Sequence, residues 1–237
     1  PDKAYALLER DFDVETKTTL PNRATPVRPV FTESLTSGLV RPELNNLLIS
    51  VAYPLTPELT ERVKDDPMLY DIAASIMSDE CFQQLRNGKG VSYDGGVSID
   101  TSNHDHAWSL QASVTTDAEH TAVANDVFAA IFAKESREYS NDQIQAGLAM
   151  GKYGVLASLD SVNARTTNIE ERLEYGCLPR DVDEVTARLR ALTVTDVRDA
   201  IDSLVDLAAT QLRFEHRTGK RKALGKVDTI VDQSSFM

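Results

Sequence analysis

Arg86 and Tyr93 stand seven residues apart in the stretch ECFQQLRNGKGVSYDGGVSID, residues 80–100, on either side of a short run holding Gly88 and Gly90. An arginine presents a rigid fork of donors, and a tyrosine presents one directional hydroxyl. Two such donors converging on a carbonyl oxygen hold it, and hold it more strongly once negative charge develops there. The pattern predicts a helix that runs to about Arg86, a stop at Gly88 and Gly90, and a strand beginning on the tyrosine side. That geometry can bring both side chains to one edge of a sheet. A plainer reading needs fewer coincidences. Arg86 would close the helix by binding last-turn carbonyls, where a cation suits the dipole, and Tyr93 would pack on the sheet.

Other chemistries find fewer residues. A hydrolytic zinc site needs several imidazoles and carboxylates at compatible spacing, and the four histidines are His104, His106, His120 and His216. His104 and His106 have a metal-like separation, but they sit in a polar loop without a third ligand. The inverted zinc motif His-x-x-Glu-His fails twice. Glu119-His120 has Thr116 in the first histidine's place, and Glu215-His216 has Leu212 there. The chain therefore carries no zinc site of that type and is expected to hold no metal. No Gly-x-Ser-x-Gly is present, so a nucleophile elbow is absent. NGKGVSYDGG looks like a phosphate loop only superficially, since it follows a helix and lacks the lysine-hydroxyl ending. Cys81 and Cys177 have neither metal nor redox spacing and read as structural.

The elements that must position these residues can be read from periodicity. A leading helix over Asp2–Phe12 precedes an extended connector with three prolines, and the core starts near residue 31. NNLLISVAYPL, Asn45–Leu55, is a continuous apolar run and predicts a central strand. Thr56 and Pro57 open a short helix. Asp66 caps and Pro67 starts the clearest helix, with Leu69, Ile72, Ala73, Ile76, Met77 and Cys81 on one face. Strands follow in GVSYDGGVSID and HAWSLQASVTT, joined by the polar TSNHDH. Helices are then expected in DAEHTAVANDVFAAIFAKESRE, in SNDQIQAGLAMGKYGVLASL from a Ser140 or Asn141 cap, and in DSVNARTTNIEERLEYG, which stops at Gly176. Two more fall in DVDEVTARLRAL and TVTDVRDAIDSLV, the latter with capping-box spacing between Thr193 and Asp196. LAATQLRFEHR reads as a late strand. Locally paired strands with helices gathered elsewhere make an α+β fold, with helices on one face of an antiparallel-rich sheet.

The chain has 237 residues, 41% hydrophobic and 26% charged, enough to bury a core without staples. Its net charge of −12 repels phosphate backbones and makes nucleic acid an unsuitable partner. No run of 18 apolar residues exists, so no membrane span is expected. The sequence starts without Met and with neither a basic nor an apolar leader, which reads as a fragment or processed chain.

Several of these stretches, in order, resemble one family. LRNGKGVSY, residues 85–93, resembles LREKRGLAY in the second lobe of pitrilysin/insulinase-family zinc peptidases, which include mitochondrial processing peptidase. PDKAYALLERDF resembles the lead into that lobe, and NNLLISVAYPL its core strand. NIEERLEYGCLPRDVDEVTARLRALTVTDVRDAIDSLV is similar to its tail. The resemblance implies a two-layer α/β sandwich spanning 1–237 as a single lobe. It implies that Arg86 and Tyr93 match the family's Arg/Tyr pair, which contacts the scissile peptide at a zinc site in another lobe. There, zinc activates water and a glutamate acts as base, so this chain alone should be inactive. The departure at Asn87-Gly88 touches only the detail of the turn. The expected partners are a zinc-bearing lobe or subunit, in a homo- or heterodimer, and a peptide substrate. The expected compartment is the bacterial cytoplasm or periplasm, with the mitochondrial matrix as alternative. A degenerate structural or assembly subunit is the other reading, and a small-molecule-binding domain has only the glycine turn in its favour.

Overall fold

The computed structural model describes residues 32–88, 90–91, 94–101, 108–158, 162–163, 165–166 and 182–232. The expected leading helix and connector, His104 and His106, Tyr93, Cys177 and most of the helix expected over 160–176 lie outside the described residues.

Six strands form one mixed sheet: β1 Leu35–Val40, β2 Leu47–Pro54, β3 Gly96–Asp100, β4 Ser109–Thr116, β5 Phe214–Gly219 and β6 Thr229–Asp232, in the order β3-β4-β2-β5-β1-β6. The pairs β3/β4, β4/β2 and β2/β5 are antiparallel. β1 runs parallel to β5 and to β6. Alternation then decides the faces. In β4, Leu110, Ala112, Val114 and Thr116 are buried while Ser109, Gln111, Ser113 and Thr115 are half-buried. In β2, Leu47, Ile49, Val51 and Tyr53 point into the core.

Six helices among the described residues make the second layer: α1 Pro57–Asp65, α2 Pro67–Gln83, α3 Thr121–Phe132, α4 Asn141–Ser158, α5 Val182–Ala191 and α6 Val194–Thr210. The fold is α+β, as the patterning predicts. α2 touches β3, α4 and α6. It is therefore buried nearly all round, with Met68, Tyr70 and Ala74 inside as well as the expected stripe. Thr56 caps α1, its Oγ1 3.2 Å from Leu59 N. Ser140, rather than Asn141, caps α4: Ser140 Oγ accepts from Gln143 N at 3.2 Å, and Gln143 Oε1 accepts from Ser140 N at 2.8 Å. The box between Thr193 and Asp196 forms in both directions, at 2.8 and 3.2 Å.

Four expectations need correction. Asp66 stands at the start of α2, but its side chain makes no cap bond. It accepts instead from Arg188 Nε at 2.7 Å, where a charged partner outcompetes a backbone amide. The long helix expected from Asp117 breaks into a 3₁₀ turn, Ala118–His120, then α3, then a second 3₁₀ turn, Ser136–Glu138. Asp117 starts the first turn with its own side chain, and in the second the N–H of Glu135 donates to Glu138 Oε1 at 3.0 Å. The late strand begins at Phe214, because Leu207 through Thr210 complete α6 with Leu207 packed in the core. β3 begins at Gly96 rather than near Gly90.

Candidate functional site

α2 ends in a π turn, Gln84–Gly88, and this turn carries Arg86. Gly90 follows with φ of 65°, a left-handed conformation that favours glycine. The N–H of Gly90 donates to Arg86 O at 3.1 Å, and the N–H of Val91 donates to Leu85 O at 2.9 Å. This is a glycine helix cap in which each bond reaches one residue further than usual, because the last turn is wound wider. Leu85 is fully buried and Val91 nearly so, which supplies the apolar contact such caps carry. The carbonyls of Leu85 and Arg86, which the capping reading gives to an arginine side chain, thus already accept from the turn's own amides. Arg86 is exposed, and its guanidinium carbon lies 5.5 Å from the centre of the Phe82 ring, one helical turn back.

Beyond the turn the chain is fixed to the sheet from both sides of Tyr93, whose own placement lies outside the described residues. Thr116 Oγ1 donates to Val91 O at 3.1 Å, and Thr115 N donates to Asp94 Oδ1 at 2.9 Å. Gly95 has φ of 136°, and a Cβ there would meet Leu85 Cδ1 at 2.8 Å and Ser113 O at 3.3 Å. Ser78 of α2 accepts from Val97 N at 3.1 Å and so ties β3 to the helix. A cavity of about 300 Å³ opens beside this turn, where Ser78, Asp94, Ser98, Ser113 and Thr115 supply hydroxyls and a carboxylate. These polar groups can engage an extended peptide backbone. Phe82, Asp94 and Thr116 escape a reading by motif. The i to i+4 spacing of Phe82 and Arg86, and the Asp before a glycine pair, are the signals that could find them.

The remaining candidates separate from this turn. Cys81 is buried, and burial, helped by Glu80, pushes its thiol up to about 12, so it is inert. His120 pairs with Asp117 at 2.8 Å. His216 lies on the sheet face opposite the helices, between Ser37 Oγ at 2.9 Å and Thr218 Oγ1 at 3.0 Å. The sheet shields enough of its ring to lower its pKa. Among the described residues no group of three or more His, Cys, Asp or Glu is placed to hold a metal ion, so the described residues do not fit a zinc site. None of the described helices is long and apolar enough to cross a membrane.

No family model and no curated protein matches the chain. Solved structures do. The periplasmic protease PqqL from Escherichia coli superposes with a TM-score of 0.65 at 16% identity, over 93% of this chain and 24% of its own. A protease from Helicobacter pylori gives 0.64 at 12% identity, over 92% and 52%. A peptidase M16 inactive domain from Pseudomonas fluorescens gives 0.55 at 14% identity, over 82% and 48%. The chain spans about a quarter to a half of the length of these proteins. With its mixed sheet, one-sided helical layer and these superpositions, the chain has the fold of one lobe of a pitrilysin-type (M16) peptidase, the fold that M16 inactive domains share.

Proposed function

We propose that this chain is the substrate-binding, non-zinc lobe of a two-lobe zinc metalloendopeptidase. In this reading Arg86 and Tyr93 donate to the carbonyl oxygen of the scissile peptide, and the zinc chemistry is supplied by a partner lobe. The observation that carries it is the fold shared with an M16 inactive domain and with proteases two to four times as long. Two further features support it. Arg86 is exposed on a glycine-capped turn, and the residues flanking Tyr93 are fixed to β4. A fork of charged donors and one hydroxyl would bind the oxygen weakly while it is a carbonyl and strongly as an oxyanion.

The test is peptide hydrolysis by the complete enzyme, this lobe assembled with its zinc-bearing partner. Arg86→Ala and Tyr93→Phe are each expected to lower kcat/KM on the order of a hundredfold. Values within about twofold of the parent would refute the role, since a lost oxyanion donor costs far more than that.

A further inference from the structure

A second cavity, of about 590 Å³, lies at the far end of β2 from the Arg86 turn. Its floor is Tyr53 and Phe132, whose rings meet edge to face with centroids 5.1 Å apart. Tyr53 stands six residues along β2 from Leu47, which pairs with Thr116 beside the turn, so the two sites are roughly 20 Å apart along the strand. The cavity exists because the last turns of α3 and α6 line it with alanines, Ala129 and Ala208 among them, and no side chain fills the space. Both helices therefore bring their carbonyl ends to it, each with partial negative charge. Neither helix has a basic residue in its last turn. Glu135, Asp202 and Asp206 stand around it, and no Lys, Arg or His lines it.

Some of this charge is already engaged. Ser136 donates to both oxygens of Asp202, at 2.6 and 2.7 Å, and Arg137 lies 2.7 Å from Glu135. Arg213, which reaches the Tyr53 hydroxyl, is committed to Asn125 at 2.7 Å and Glu215 at 2.8 Å. The Asp206 carboxylate remains, beside two helix ends whose carbonyls of Ala129, Ile131 and Leu207 already accept from backbone amides but whose dipoles still favour a cation, and next to two aromatic rings.

We propose that this cavity takes the lysine or arginine side chain of a polypeptide, with an adjacent apolar residue on the aromatic floor. The volume exceeds one basic side chain, and its walls are mostly apolar with three carboxylates and no cation among them, which matches such a pair and repels an acidic one. The site stands apart from the Arg86 turn, so it holds or fails independently of the role proposed there.

The test uses the full 237-residue chain and calorimetric titration with the peptide acetyl-Leu-Lys-amide, its norleucine analogue, and butylammonium. Saturable binding of the lysyl peptide is expected, weakened about fivefold or more by norleucine and by Asp206→Asn, and weakened by salt. Ala208→Phe should fill the space and abolish it, with far-UV circular dichroism unchanged. Asp206 is exposed, so its variant should fold even if the Phe variant does not. Absence of saturable binding, equal binding of the norleucine peptide, or an unaffected Asp206→Asn variant would overturn the site. Butylammonium binding as tightly as the peptide would overturn the polypeptide as its occupant.

Discussion

Glu215 keeps its charge between sheet and helices because two guanidiniums and an amide reach it. It is 4% exposed, 2.6 Å from Arg217 Nε, 2.8 Å from Arg213 and 3.3 Å from Asn125 Nδ2. Burial raises its pKa, but Arg217 and then Arg213 and Asn125 outweigh that and leave it below the usual value of 4.5. A depressed folded pKa gives stability that is present above the unfolded value and is lost as the pH falls through the folded one. Urea unfolding should thus show the parent losing more stability than Glu215→Gln as the pH falls below about 4.5. Near neutral pH, Glu215→Ala should cost about 3 kcal/mol, since it leaves two cations facing a buried gap. Parallel pH profiles for parent and variant would contradict this. None of it could be read from the sequence, where EHR offers only charge on a strand. Arg86 is the opposite case. Its place at the end of α2 follows directly from helical periodicity and the glycines after it.

At the scale of elements, the turn that carries Arg86 depends on two glycines for different reasons. Gly90 needs its left-handed φ but has open space around it, so Gly90→Ala should cost about 1 kcal/mol in stability. Gly95 has both an unfavourable φ and walls, with Leu85 and the backbone of Ser113 where its Cβ would go. Gly95→Ala should cost more, about 2–3 kcal/mol, by combining strain with overpacking. Thermal or urea unfolding checks the order, and equal costs would mean that the walls give way. The capped amphipathic run 193–205 is legible because local pattern and tertiary burial agree there, and the helix over 67–83 is legible from its apolar spacing although the Asp66 side chain does not cap it. β1 and β6 are not, because LTSGLV and TIVD are short and lack turn signals. Each becomes a strand only by pairing with a segment distant in sequence: β1 lies beside β5, with Leu35 opposite Phe214. The π turn was equally hidden, since nothing in QLRNG separates a wide turn from an ordinary one.

At the scale of the whole molecule, the sheet and its single helical layer have the fold of M16 lobes, while the chain spans about a quarter to a half of the three proteins named above. Among the described residues no group of three or more His, Cys, Asp or Glu is placed to hold a metal ion, and a polar cleft opens beside the Arg86 turn. The proposed role, a lobe that positions a substrate while another lobe carries the metal, rests on that shared fold. The most direct measurement compares two ligands on the complete enzyme: a phosphinic peptide, which mimics the tetrahedral oxyanion, and the matching substrate. If Arg86 acts on developing charge, Arg86→Ala should weaken the phosphinic peptide on the order of a hundredfold and leave substrate KM nearly unchanged. Equal weakening of both would make Arg86 an ordinary binding contact. No weakening of either would contradict the account.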